Sequence, residues 1–247
     1  MSHLSFYDDS YERRLTARVM AIEQGHRVLL TRTVFFPRTS TEPGDHGWIG
    51  GHRVVDVVKE DQQVWHSLEP EPAPELAVDD VVVIELDWAR RYLIMRTHSA
   101  LHLLGSVIEA ELGHRAVAGV VEERSGYLVL RSDLGEDEVE RAVSVAREEI
   151  RRGLEIRAYW DAEREGFRWC EYGTYPRMPD GGLHVRSTSE IGDIELLSRA
   201  RRKGKLRLSF CVNAPGSGSH LRPTAGQSNE PASRVSRPVP AAASDAP

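Results

Sequence analysis

Only two cysteines, Cys170 and Cys211, occur among the 247 residues, 41 positions apart. That scarcity excludes a disulfide-stapled secreted scaffold and a zinc site built from cysteine alone, and makes a reducing cytoplasm the expected compartment. No apolar run approaches the roughly 20 residues needed to cross a bilayer. The opening Met1-Ser-His-Leu-Ser-Phe-Tyr-Asp-Asp is too polar and acidic for a signal peptide, so no membrane partner is expected. A surplus of positive charge is also missing. The formal net charge of −6 excludes a protein that coats DNA or RNA through bulk attraction. One local exception runs from Arg199 to Arg207, where six cations fill nine positions with no acid among them.

Large side chains are lacking from Ala214 to Pro247, which hold six of the thirteen prolines and no aromatic residue. Such a segment buries too little surface to offset the entropy of ordering, and a disordered tail is expected over 214–247. Upstream, short β-like runs at 15–22, 27–33, 52–58, 63–68 and 81–86 alternate with Pro, Gly and Asp, which predicts a small barrel-like or sandwich β-domain over 1–87. From Ala89 to Leu112 the chain is free of proline, with Asp87 placed to cap a long helix and Gly113 to end it. Strands at 117–122 and 127–131, a second helix over 136–152 closed by Gly153, and strands near 155–162, 184–187, 192–198 and 206–212 complete the pattern. The fold class expected is α+β: the β-domain, then a domain over 88–213 with helices packed on a mostly antiparallel sheet.

On the long helix, His98 and His102 stand four residues apart, about 40° around the axis, where one metal ion can bridge them. The apolar stripe Leu93, Ala100, Leu104, Val107 and Ile108 centres on another side, so the pair is expected to share its face with Arg91, Met95 and Glu109. A second half-site is Asp180-Gly-Gly-Leu-His184, a carboxylate and an imidazole joined by glycines that allow tight folding around an ion; read alone, it is a common Pro-Asp-Gly-Gly turn. Together His98, His102, Asp180 and His184 offer three nitrogens and one oxygen, a set suited to Zn²⁺ and after it to Fe²⁺, Mn²⁺ or Co²⁺. Cys170, ten residues before Asp180, is an alternative ligand to it.

These residues resemble the editing domain of alanyl-tRNA synthetase and its free-standing relatives, the AlaX trans-editing proteins. The likeness rests on the His98/His102 spacing and on Asp180-Gly-Gly-Leu-His184-Val-Arg-Ser-Thr188-Ser-Glu190-Ile191-Gly192. It extends to Phe35-Phe36-Pro37, Pro43-Gly44-Asp45-His46-Gly47, Val55-Asp56-Val57 and Asp87-Trp88-Ala-Arg90-Arg91, and so covers about residues 5 to 212. The resemblance implies a zinc-dependent deacylase that removes a wrongly attached amino acid, usually serine or glycine, from alanine tRNA. An aminoacylated tRNA is thus the partner expected, and the basic run, with Arg199, Arg201, Arg202, Lys203 and Lys205, is expected to hold its acceptor stem by phosphate contacts; otherwise the run is a charged, solvated edge strand.

The chain departs from the family pattern in three places. Asp180 stands where the family has Cys, which exchanges a soft thiolate for a hard oxygen. Thr39-Ser40-Thr41-Glu42 replaces Gly-Gly-Gly-Gln, so this loop takes another shape. Glu42 puts an anion in place of a neutral amide, where it can pair with the α-ammonium of the aminoacyl group, serve as general base to a water, or sit solvated on the loop. Thr97 and Thr188 are further candidate substrate contacts; the ordinary alternatives are a bond to the helix backbone for the first and a cross-strand bond for the second. With these changes the amino acid removed extends to other small ones, including threonine or an analogue of it. Two rival readings stand beside the deacylase: a metallohydrolase acting on a non-tRNA aminoacyl ester in secondary metabolism, and a catalytically degenerate tRNA-binding module.

Overall fold

A computed structural model describes residues 2–69 and 75–214. The tail expected over 214–247 lies, Ala214 apart, outside the described residues. The chain starts with β1 (His3–Leu4) and continues through β2 (Arg14–Glu23), β3 (Arg27–Leu30), β4 (Arg32–Thr33), β5 (Gly47–Ile49), β6 (His52–Glu60), β7 (Gln63–Glu69) and β8 (Val81–Leu86). Six of them close into a barrel in the order β2-β3-β7-β6-β5-β8, each pair antiparallel. The period-2 pattern decides which side chains fill it: Leu15, Ala17 and Val19 from β2 and Val82, Ile84 and Leu86 from β8 point inward, while Val81 and Val83 face out. The sequence pattern did not reveal β5, which is three residues long. Its place depends on Gly47, where a Cβ would collide with the backbone of Glu85 and Leu86.

One residue beyond the barrel, α1 (Trp88–Leu112) begins. Asp87 caps it by accepting the Arg90 N–H at 3.2 Å, and Gly113, in the left-handed conformation, ends it. Then come β9 (Ala116–Val121), β10 (Ser125–Leu130), α2 (Glu136–Arg152), β11 (Ile156–Trp160), β12 (Arg168–Tyr172), β13 (Met178–Pro179), β14 (Asp193–Arg202) and β15 (Lys205–Asn213). The antiparallel sheet β14-β15-β10-β9 carries α1 against β9, β10 and β15 and α2 against β14. A separate sheet, β11-β12-β13, flanks it. The fold is α+β. Among the described residues no helix is long and apolar enough to cross a membrane.

Three expectations are corrected here. Residues 184–187 do not form a strand; they make one bridge, Ser187 to Glu155, and run into a 3-10 turn at Thr188–Glu190. Residues 163–183, for which no element was expected, hold β12 and β13. And the histidine face of α1 is not clear of packing, since Arg91 and Met95, expected on that face away from the apolar stripe, are buried. The cause is the barrel's 34–45 segment, which covers that side: Arg91 donates to the carboxylate of Asp45 and to Val34 O. Phe6 and Phe36, from the N-terminal part of the chain, belong to the core that α1 and α2 build, while the barrel has a core of its own.

Candidate metal centre

α1 delivers His98 and His102 from successive turns; the segment that leaves β13 delivers Asp180 and His184. One ligating atom from each of these four residues lies within 4.8 Å of the other three. His98 Nε2 is 2.9 Å from His102 Nε2, and Asp180 Oδ1 is 3.5 and 3.7 Å from those two nitrogens. Asp180 Oδ2 contacts His184 Nε2. Two imidazole nitrogens this close repel unless a proton or a cation lies between them. Four ligands at bond lengths of about 2.0–2.1 Å around a tetrahedral ion would stand roughly 3.3 Å apart, so the spacing fits a divalent cation of zinc's size.

The outer nitrogens are bonded in ways that support this. His98 Nδ1 lies 2.8 Å from Glu42 Oε1. His184 Nδ1 lies 3.0 Å from the Tyr172 hydroxyl and 3.3 Å from Ser99 Oγ. His102 Nδ1 faces the Met178 sulfur at 2.8 Å. With Nδ1 carrying the proton in each ring, all three Nε2 lone pairs turn to a common point, the arrangement in which an outer partner fixes the tautomer of a ligating histidine. Burial alone would lower the His98 pKa, but the carboxylates of Glu42 and Asp180 outweigh it and hold that ring well above the usual imidazole value. Burial pulls His102 down to about 3 and also lowers His184. Burial would raise Asp180; the three histidines outweigh it and keep the carboxyl well below the usual range.

The glycines have separate uses. A Cβ at Gly182 would run into the His98 imidazole and press on Glu42. Gly182 N donates to Asp180 Oδ1 at 3.2 Å, its carbonyl accepts from Arg168 at 3.1 Å, and the Gly181 carbonyl accepts from the Tyr7 hydroxyl at 3.0 Å. Two openings flank the centre. A cavity of about 650 Å³ between α1 and β9 has His102 and Met178 in its wall, and a groove of about 380 Å³ passes His184, Arg168 and Tyr7.

The structure brings His98, His102, Asp180, His184 and Glu42 together, but not the other expected site residues. The hydroxyl of Thr97 donates to the carbonyls of Leu93 and Glu123, and that of Thr188 donates to Glu149 O while accepting from Leu154 N. Both side chains are buried, and their bonds go to backbone, the ordinary alternative expected for Thr97. Cys170 is fully buried on β12, its thiol pushed up by burial, and it is not in the cluster. The basic run forms the β14–β15 hairpin, whose Lys203-Gly204 turn has positive φ at both positions. There Arg199 and Arg201 bond Asp133, while Arg202, Lys203 and Lys205 are exposed. Sequence reasoning missed Ser99, Tyr172, Met178, Tyr7 and Arg168. No sequence signal pointed to them: Arg168-Trp-Cys-Glu-Tyr172 alternates in burial but not in polarity.

Barrel, helix-backed sheet and buried three-histidine, one-carboxylate cluster define an α+β protein with a single composite polar centre assembled on α1. No family model matches the chain. It is 32% identical over 217 residues to the alanyl-tRNA editing protein AlaX-M of Pyrococcus horikoshii, covering 85% of this chain and 97% of that protein. It is 27% identical over 238 residues to the AlaX-M protein of Saccharolobus solfataricus, covering 86% of this chain and 99% of the relative. Against the alanine–tRNA ligase of Pyrobaculum neutrophilum the identity is 34% over 221 residues, 77% of this chain but 24% of the ligase. The chain belongs to the AlaX-M family of alanyl-tRNA editing proteins.

Proposed function

We propose that this chain is a trans-acting deacylase that hydrolyses the ester of a mischarged tRNA carrying serine, glycine or another small amino acid such as threonine or a threonine analogue. The observation that carries the reading is the convergence of His98, His102, Asp180 and His184 on one point, with Glu42 locked to the outer nitrogen of His98. The kinship with AlaX-M proteins supports the substrate class. His98, His102, Asp180 and His184 would hold Zn²⁺, which supplies a Lewis acid beside the ester carbonyl.

Hydrolysis adds a water to the acyl carbon, breaks the bond to the ribose oxygen and returns a proton to that oxygen, leaving free amino acid and uncharged tRNA. The ester is already activated, so the protein's task is to orient it and keep one polar face open to water. Glu42 holds the His98 ring through Oε1 and also lines an opening of about 420 Å³, where it can serve as general base to a water. Asp180 is the ligand best placed to yield: its oxygens divide between Gly182 N and the three imidazoles. The division into a barrel domain, an editing domain and a tail, and a cytoplasmic setting, belong to the same reading.

The test is a panel of tRNAs charged with different amino acids, with metal content measured on the same preparation. Release of amino acid by the wild type, lost in His98→Ala and His184→Ala with the fold retained, is the expected result. Unchanged turnover in both variants would overturn it. Hydrolysis of small aminoacyl esters with no dependence on salt would instead favour a non-tRNA substrate. A chain that takes up no added Zn²⁺ and deacylates nothing would favour a binding module.

A further inference from the structure

Trp160 is 49% exposed at the end of β11, the edge strand of its sheet. Its cross-strand partner is Arg168, whose guanidinium lies 5.4 Å from the Trp160 ring and 4.4 Å from the Tyr7 ring. Tyr7 in turn meets Trp160 edge to face at 5.1 Å. The three side chains therefore form one preformed aromatic–cation layer whose indole is about half exposed. The layer is joined to the metal centre: the Tyr7 hydroxyl and the Arg168 guanidinium bond the Gly181 and Gly182 carbonyls, in the loop between Asp180 and His184. The groove beside it reaches His184. Of the neighbouring acids, Asp161 is occupied by Trp169 Nε1, Arg164 and the Glu163 and Arg164 amides, and Asp8 and Asp9, which line the groove, pair with His3 and Arg186.

An exposed, immobilised indole next to a reaction centre is the feature with which proteins hold unstacked bases of single-stranded nucleic acid, independent of sequence. On the tRNA reading above, on which this inference rests, the ester is carried by the unpaired 3′ end, whose bases must be held while the acyl group enters the centre. We infer that Trp160, backed by Tyr7 and Arg168, is the stacking platform for a base of that single-stranded end. Trp160 touches substrate; Tyr7 and Arg168 position it.

The experiment compares wild type, Trp160→Ala, Trp160→Phe and, as a control, Trp48→Ala, which removes a 45% exposed indole from the barrel. For each, KM and kcat for charged tRNA, affinity for a short single-stranded RNA ending in a free adenosine, and metal content are measured. Loss of one stacked base raises KM about 5- to 150-fold and weakens RNA binding in parallel. Trp160→Ala should show this with kcat and metal content unchanged, Trp160→Phe should recover most of it, and Trp48→Ala should behave as wild type. Trp160→Ala with wild-type KM and RNA affinity, or an equal loss in Trp48→Ala, overturns the platform. A wild type that deacylates no tRNA but loses RNA binding on Trp160→Ala overturns the deacylase reading and supports the platform.

Discussion

Glu42 Oε1 stands 2.8 Å from His98 Nδ1, so an acid from the 38–44 loop of the barrel segment is bonded to the first histidine of the candidate metal cluster on α1. The carboxylate fixes the ring's tautomer and orientation and strengthens Nε2 as a donor to a cation. Glu42→Ala should lower Zn²⁺ affinity about 10–100-fold, the usual cost of losing such an outer partner. Glu42→Gln, which still accepts from Nδ1, should lose less. Chelator competition measures both; equal affinity in Glu42→Ala and wild type would show that the bond does not support the site.

Asp180 gives the centre a hard oxygen among three imidazoles. Asp180→Cys should therefore tilt the site toward soft ions, raising affinity for Zn²⁺ and Cd²⁺ relative to Mn²⁺. Competitive metal titration of the two proteins checks the ratio; an unchanged preference would mean that Asp180 is not a ligand.

Arg91 and Asp45 form an ion pair with both side chains at most 3% exposed, and Arg91 also donates to Ser10 O and Val34 O. Asp45 in addition accepts from Phe36 N. Arg91→Met strands a buried carboxylate and should cost about 3–5 kcal/mol. Adding Asp45→Asn removes the stranded charge while keeping an acceptor for Phe36, and should restore part of the loss. Urea unfolding curves of the single and double variants decide this.

His66 lies wholly inside the barrel, Nδ1 at 3.0 Å from Val28 O and Nε2 at 2.8 Å from Thr33 Oγ1, and burial lowers its pKa to about 4. The folded state resists a proton that the unfolded chain binds below about 6.5. Stability from this group is thus complete above pH 6.5 and declines as pH falls toward 4, by roughly 3 kcal/mol in all. Across that window the unfolding free energy of wild type should fall more steeply than that of His66→Gln. Parallel slopes would contradict it.

Arg202, Lys203 and Lys205 project from the β14–β15 hairpin, while Arg199 and Arg201 are partly neutralised by Asp133. If the hairpin holds tRNA phosphates, replacing the three exposed cations by Ala should weaken tRNA binding at low salt and flatten its dependence on log salt by up to about one unit per residue. A slope equal to that of wild type would confine the arm to a structural role.

Both long helices were legible because each carries its own punctuation: Asp87 and Gly113 bound α1, and Gly153 closes α2 after Arg152. The four-residue spacing of His98 and His102 and the Asp180–His184 turn survive as local signals, which is why that cluster could be read from the chain. Its supports could not. Ser99 looks like any small helix residue until Tyr172 and His184 are folded against it, and Tyr7 lies 174 positions from the Gly181 carbonyl it bonds. Thr97 and Thr188 illustrate the converse: a hydroxyl beside a metal-site motif reads as functional, yet in each case nearby backbone carbonyls take its hydrogen bonds. The packing on the histidine face of α1 was hidden for a related reason, since helical periodicity records amphipathicity but not a barrel loop arriving from 46 residues upstream at Asp45.

Asp87 is the whole of the connection between β8 and α1, and it is tied at both ends, its N–H to His46 O at 2.9 Å and its carboxylate to Arg90 N. A joint that short has no slack to act as a hinge. The 38–44 loop, held to the same frame, reaches the imidazole of His98 directly through Glu42. On the deacylase reading, replacing side chains of that loop would retune which amino acid is accepted while leaving the frame unchanged.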